Sequence, residues 1–291
     1  MTLGKLLVVG TARNCGAILE KNVNRILGAC NDFDEVSFYV VESDSEDNTK
    51  TVLSKLENKF PNFKYISMGT LQVLIPDRVE RIRFCRNKYI DYLKEKQNSH
   101  ERYDFVLVVD LDRVNSKLSR KAVNSCFSTN QVWDACFANQ RFGYYDLYAL
   151  RSPDWVNHDI FKELRASFSQ IQPKKGILSA LRIFFQHDKL RKIHIYKNMK
   201  KIPPKHSWIK VQSAFGGAAF YRADILSSTD YSAMNSNDEI CEHVDLNIKL
   251  HNKGMNLFIN PQFINSRFNA YNLNRITLIR YLRALKSYMD R

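Results

Sequence analysis

The sequence predicts an α/β fold, a mostly parallel central sheet flanked by helices. Two observations predict it. Short apolar runs (KLLVV at 5–9, VSFYVV at 36–41, FVLVV at 105–109) alternate with segments of helical periodicity. Each of those runs then ends abruptly in polar or acidic residues, at the strand ends beyond which open α/β sheets bind ligands.

Residues 5–9 make the first strand and stop at Gly10. Over 16–30, Ile18, Val23 or Asn22, Ile26 and Cys30 recur at roughly helical spacing. The strand at 36–41 leads through a polar turn to a helix over 50–59, and 63–67 is a weaker third strand. A helix over 81–96 precedes 105–109, the strongest strand; a helix over 119–128 leads to a strand at 134–138. Right-handed crossovers connect such units. From 151 the pattern changes. Residues 159–210 are helix-rich and basic, with a break at Pro203-Pro204. A strand (AAFYR, 218–222) follows Gly216-Gly217, and a helix over 238–251 stops at Gly254. A short strand at 257–259 and a terminal helix over 275–291 complete the chain. No internal repeat or long linker interrupts it. One elaborated domain over 1–291 is expected: a ligand-binding half (1–150), a basic helical insertion (151–210), a second half (211–270) and a C-terminal basic helix (271–291).

Composition narrows the class. With 44% hydrophobic and 25% charged residues, the 291-residue chain is not disordered. No uncharged apolar run reaches the ~18 residues of a membrane span, and the opening stretch turns polar too soon for a secretory signal. Six cysteines without a C-x-x-C pair argue against a zinc ribbon or disulfide scaffold, and for reduced thiols in the cytoplasm. The net charge of +14 is concentrated: residues 174–210 carry eleven Lys and Arg against Asp188, and 275–291 carry five against Asp290. The remainder balances to zero. Two basic patches on a neutral body imply a polyanionic partner.

Asp110-Leu111-Asp112 is the sharpest chemical feature. Two carboxylates one residue apart at a strand tip offer hard oxygens to Mg²⁺ or Mn²⁺, which can grip a diphosphate and act as a Lewis acid. Thr11, Arg13 and Asn14 follow the first strand. Glu42 ends the second, where a carboxylate can accept a hydrogen bond from a base or ribose. The stretch after it reads as a helix entry, with Asp47 or Asn48 capping and Asp44, Glu46 and Asp47 suiting the dipole. Arg78, Arg81, Arg83 and Arg86 cluster just before or within one helix; guanidinium forks suit diphosphate oxygens, Arg86 foremost, with Asn87 beside it to link strand-end loops. Ser236 and Glu239 have capping-box spacing. Glu242 and Asp245, one turn apart, can supply a general base. Gly216-Gly217 allows close backbone approach to a ligand or a bulge.

Taken in order, these motifs resemble those of glycosyltransferases of the GT-A fold. Residues 42–49 (ESDSEDNT) resemble the D-D-G-S-x-D-x-T stretch of family-2 enzymes, with Glu42, Ser45, Asp47 and Thr49 in step and Ser43 and Asp44 replacing Asp and Gly. Arg86-Asn87 resembles their A-R-N element and Asp110-Leu111-Asp112 their D-x-D. Asp134-Ala135-Cys136 with Tyr145-Asp146-x-Tyr148-Ala149-x-Arg151 is similar to the fungal capsule-associated α-mannosyltransferases. The overlap spans about 5–150 and 211–265. The resemblance implies polysaccharide biosynthesis: metal-assisted transfer of a sugar from a nucleotide-sugar donor to a hydroxyl of a glycan or lipid-linked acceptor. It implies donor contacts from Thr11, Arg13, Glu42, Asp44, Arg86, Asn87, Asp110, Gly216 and Gly217, and Mn²⁺ or Mg²⁺ at Asp110 and Asp112. Glu242, with Asp245 beside it, takes the base position. Many metal-dependent members add a late His ligand. No His follows His251 here; Asn265 stands in that region, which leaves the carboxylates, phosphates and water.

Apolar residues interleave with the basic ones: Ile183, Phe184 and Phe185 in the first patch, Ile276, Ile279, Leu282 and Leu285 in the second. Such stripes fit interfacial helices on anionic lipid, each basic residue contributing about 1 kcal/mol, so peripheral membrane association is expected. Two alternatives compete. A nucleotidyltransferase lacks support because residues 11–16 hold Arg13 but no lysine. A basic nucleic-acid-binding protein, stacking bases on Phe184, Phe185, Tyr196 and Trp208, leaves the acidic strand tips unexplained.

Overall fold

The computed structural model describes residues 3–171, 177–234 and 240–267, and of 177–181 the backbone alone. The expected helix over 275–291 and the Ser236/Glu239 capping box lie outside the described residues. Eight strands form one sheet: β1 (Lys5–Ala12), β2 (Glu35–Glu42), β3 (Phe63–Ser67), β4 (Phe105–Val109), β5 (Ala135–Gln140), β6 (Ile209–Lys210), β7 (Ala218–Arg222) and β8 (Leu257–Ser266), in the order β3-β2-β1-β4-β7-β5-β8-β6. β3, β2, β1 and β4 run parallel, β7 is antiparallel between β4 and β5, β8 is parallel to β5, and β6 is antiparallel at the edge. The mostly parallel α/β architecture expected from the alternating pattern is therefore the one adopted.

Helices α1 (Gly16–Ala29), α2 (Thr49–Lys59), α3 (Leu71–Leu74), α4 (Arg78–Gln97), α5 (Arg120–Asn124), α6 (Ile160–Ser169), α7 (Ile177–Arg191), α8 (Ala223–Ser227) and α9 (Glu242–Asn252), with a 3₁₀ turn at Arg113–Asn115 and a π-helical turn at Lys192–Tyr196, complete the described elements. Strand side chains alternate between faces, and both faces are covered. Leu7, Val9, Val106 and Val108 share a core with Tyr89 and Leu93 of α4 and Leu246 of α9. Leu6, Val8, Leu107 and Val109 pack with Leu19 and Val23 of α1 and Leu53 of α2. Each such side chain, fully buried, contributes roughly 1.5–3 kcal/mol.

Several boundaries differ from expectation for identifiable reasons. α4 starts at Arg78, three residues early, because Asp77 accepts from the Glu80 N–H at 2.8 Å and caps it. The helix expected from 238 begins at Glu242, preceded by Cys241 with no side-chain cap. β8 runs ten residues where three were expected. Pro261 sits inside it, opposite a register shift in β5, and Asn139 Nδ2 donates to the Pro261 carbonyl at 2.9 Å. α3, α8 and the two-residue β6 are too short to leave a periodic signal. Within the basic insertion, Ile195, Met199 and Ile202 are core residues, while Phe185 and Ile193 are about half exposed. No described helix is long and apolar enough to cross a membrane.

The register fixes the rim. Ala12 pairs with Glu42 and Val9 with Val108, so the ends of β1, β2 and β4 emerge side by side.

Candidate active site

A cleft of about 290 Å³ opens over these three strand ends, and Thr11, Arg13, Asp44, Arg78, Asp110 and Asp112 all front it. The two carboxylates singled out in the sequence therefore face one cavity, together with the loops after β1 and β2.

Their backbone is held by buried amides. Asn22, on the inward face of α1, donates to the Leu111 carbonyl at 2.9 Å and the Asp112 carbonyl at 2.5 Å. Asn115 Nδ2 donates to the carbonyls of Asp110 (2.7 Å) and Gly217 (2.8 Å), and its Oδ1 accepts from Asn265 Nδ2 at 2.7 Å. Asn265 also donates to the Gly216 carbonyl, and Gln140 Nε2 donates to Asn265 Oδ1 at 3.1 Å. Asn265 is fully buried in this network and does not front the cleft; it stands where the sequence placed a late metal ligand, but its work is to fasten the glycine turn. Gly216 and Gly217 have φ of +70° and +84°, and a Cβ on Gly216 would stand 2.6 Å from the Ala138 carbonyl oxygen. The Asp110 N–H donates to the Gly217 carbonyl at 3.0 Å, so the turn and the acidic tip are one unit. Asp112 Oδ1 accepts the Val114 N–H at 2.8 Å, capping a single 3₁₀ turn.

Behind the cleft lies a cluster of charges. Arg86 is 4% exposed; its Nε donates to Glu242 Oε1 at 3.1 Å, its Nη1 to the Tyr89 hydroxyl at 3.1 Å, and its Nη2 lies 3.7 Å from Asp110. The rings of Phe215 and Tyr231 flank the guanidinium at 5.5 and 5.6 Å. Burial pushes the Asp110 carboxyl up to about 8; Arg86 pulls it down, and Asp112, Asp146 and Glu242 reinforce the rise. Asp146 is raised to about 6 by burial, against hydrogen bonds from the Gly216 and Ala149 N–H groups. His243, stacked on Phe215 at 3.7 Å, is held neutral by burial and by Arg86.

Other expected site residues are placed differently. Glu42 is 1% exposed and turned inward, with Oε1 accepting the Ser45 N–H at 3.0 Å and Oε2 the Ser67 hydroxyl; it shapes the loop beside the cleft. Asp44 has φ of +58° at the position where the family-2 pattern has glycine, a conformation Asp tolerates. It accepts the Gln72 N–H at 2.8 Å, and its carbonyl accepts from Arg13 Nε at 3.3 Å. Asp47 accepts from Gly16 N–H and Thr49, and the Thr49 hydroxyl accepts the Cys15 and Gly16 N–H groups. The pair thus caps α1 across the chain as well as opening α2. Asn87 Oδ1 accepts the Tyr231 N–H at 2.8 Å, outside the cleft. Asp245, expected to share a reactive face with Glu242, is 2% exposed, with one oxygen on Arg83 and the other accepting the Met234 N–H. It anchors α9 and does not reach the cleft.

Sequence reasoning passed over three residues. Asn22 and Asn115 gave no signal beyond their polarity. Asp146 lay within the Tyr145–Arg151 motif but was given no role, and the structure brings it to the Asp110–Arg86–Glu242 cluster. All six cysteines are buried thiols; Cys126 and Cys136 lie 3.3 Å apart, sulfur to sulfur.

For a metal, two carboxylates one residue apart on the cleft suit a hard, oxygen-preferring divalent ion. Among the described residues no group of three or more His, Cys, Asp or Glu is arranged to ligate one.

No protein-family model matches the chain, and no curated protein does. Among solved structures it is similar to the mannosyltransferase PcManGT from Pyrobaculum calidifontis in complex with GDP-Man and Mn²⁺, at 12% identity and TM-score 0.46, over 95% of this chain and 61% of that one. It is similar to S. aureus TarS 1–349 at 14% identity and TM-score 0.39, over 88% and 57%. It is also similar to glucosyl-3-phosphoglycerate synthase from Mycobacterium tuberculosis in complex with Mn²⁺, UDP and phosphoglyceric acid, at 13% identity and TM-score 0.38, over 85% and 62%. The chain spans about three fifths of the length of each.

Proposed function

We propose that the protein is a glycosyltransferase that moves a sugar from a nucleoside-diphosphate donor to a hydroxyl of a glycan acceptor. One observation carries this reading: Asp110 and Asp112, at the tip of a buried parallel strand, front the same cleft as Thr11, Arg13 and Arg78.

Asp110 and Asp112 would hold Mn²⁺ or Mg²⁺ in that cleft, the remaining ligands being donor oxygens and water. When bound, such an ion neutralises charge on the departing diphosphate. The protein's own groups do the rest. Thr11, Arg13 and the Asp44 loop enclose the nucleoside side, and Arg78 reaches the diphosphate side as a charged fork. The Gly216–Gly217 turn lets the donor sugar approach the backbone. In the transfer the bond from the anomeric carbon to the diphosphate oxygen breaks, one to the acceptor oxygen forms, and the acceptor hydroxyl's proton passes to a carboxylate. Asp146, which accepts the Gly216 N–H and faces an adjoining cavity, and Glu242, paired with Arg86 in the same cluster, are the two candidates. The likeness to capsule-associated mannosyltransferases, carried by the segment that holds Asp146, supports a hexosyl donor.

A panel of nucleotide-sugars with Mn²⁺, scored by nucleotide release, tests this. Release from one or a few donors, abolished by chelation, is expected. No release or binding with any donor would remove the reading.

A further inference from the structure

A second cavity, of about 510 Å³, opens beyond Arg78. Its walls come from the 145–148 loop, from α6 and from the stretch between Arg191 and Met199. Three features bear on what it holds.

The first is continuity. Arg78 lines both this cavity and the donor cleft. Asp146, in its wall, accepts the Gly216 N–H at 2.9 Å, and a Cβ on Gly217 would stand 3.0 Å from the Tyr145 hydroxyl. The cavity therefore adjoins the glycine turn at which transfer would occur.

The second is the lining. Tyr145, Tyr148, Phe161 and Tyr196 are half-buried rings. Flat apolar faces with polar tips suit a pyranose, whose C–H groups cover one face while its hydroxyls lie around the edge.

The third is charge. Arg78, Arg165 and Arg191 line the cavity against Asp146. Arg165 has a 3.7 Å approach to Asp159, whose carboxylate already caps α6 through the Phe161 and Lys162 N–H groups. Glu163 faces His158 and His194. Arg191 lies 5.4 Å over the Phe168 ring. Guanidinium forks match the oxygens of phosphate and carboxylate.

We propose that this cavity is the acceptor site, and that the acceptor is a carbohydrate bearing an anionic group, a phosphate or a carboxylate. The inference rests on the sugar-transfer reading above and names its second substrate. It also gives part of the basic insertion a role at a ligand site rather than at a lipid surface.

Binding to the full-length protein is measured by saturation-transfer NMR and thermal shift with three probes: mannose, mannose 6-phosphate and glucuronic acid. At least one anionic sugar binds roughly tenfold tighter than mannose, and which one separates phosphate from carboxylate. The double variant R165Q/R191Q loses that preference, whereas K121Q, which alters a separate cavity, keeps it. Equal binding of all three sugars, or an unchanged preference in R165Q/R191Q, overturns the proposal. GDP and UDP with Mn²⁺ are titrated into the same samples. Nucleotide binding without anion preference sinks the acceptor assignment alone; anion preference without nucleotide binding sinks the donor reading.

Discussion

Arg86 joins Glu242 in a buried ion pair, Nε to Oε1 at 3.1 Å, that ties α4 to α9 directly behind the acidic strand tip. The same guanidinium lies 3.7 Å from Asp110. One cation thus balances two carboxylates, and its removal leaves buried Glu242 and half-buried Asp110 without that counter-charge. Arg86→Gln is expected to destabilise the protein by about 3–5 kcal/mol in denaturant unfolding. The double variant R86Q/E242Q should recover part of that loss. A single variant as stable as wild type would show the pair to be incidental.

Asn22 reaches from α1 to the Leu111 and Asp112 carbonyls and makes no contact with the cleft. Asn22→Ala should cost about 1–3 kcal/mol of stability through the unsatisfied carbonyls. It should also weaken nucleotide binding in Mn²⁺, because the Asp112 backbone loses its fixed position. Calorimetric titration reads the second effect independently of the first. Undiminished affinity would mean that the strand tip holds its shape unaided.

How much of this was legible beforehand varies with the kind of signal. The tips of β1, β2 and β4 were readable because an apolar run ending in polar or acidic residues has a local cause. The cluster of Asp110, Arg86, Glu242 and Asp146 was not, since those residues lie far apart in sequence and meet only through the order of the strands. Glu42 shows the converse case. Its position at a strand tip suggested a ligand contact, but Ser45 and Ser67, brought together by the β2–β3 pairing, occupy its oxygens. β8 continues through Pro261, a residue that ordinarily breaks a strand, and the compensating shift lies in β5, far away in sequence. Asp245 shared a helix face with Glu242 as the spacing suggested, yet Arg83 takes it inward.

The Asp110 carboxyl carries a pH signature. Its folded value, pushed up to about 8, lies above the ordinary ~3.9 of an unfolded aspartate, so the native state binds the extra proton. This group therefore costs no stability below about pH 4, and its cost grows as pH rises toward 8. Without metal, Asp110→Asn should gain stability relative to wild type at pH 8 compared with pH 4, in chemical denaturation at each pH. A variant effect that is the same at both values would contradict the burial of this carboxyl, and the neighbouring acids that reinforce it, described here.

The glycine turn is the tightest constraint on the site. At Gly216, φ of +70° and a contact of 2.6 Å from any Cβ to the Ala138 carbonyl oxygen leave no room for a side chain. Gly216→Ala should destabilise by at least about 1–2 kcal/mol from the left-handed backbone alone. It should also reduce transfer further than it reduces nucleotide binding, because the proposed function sets the turn against the donor sugar and not the nucleoside. Kinetics and calorimetry on the same preparation separate the two. Equal losses would place the turn outside the sugar's reach.

The claim beneath all of these is that Asp110 and Asp112 grip a nucleoside diphosphate through a divalent ion. The most direct measurement is calorimetric titration of UDP and GDP, with and without Mn²⁺, into wild type and Asp112→Asn at matched fold. The account predicts binding of at least one nucleotide by wild type with Mn²⁺, a loss of about tenfold or more without it, and a comparable loss in the variant. Equal affinity in all of these conditions would contradict it.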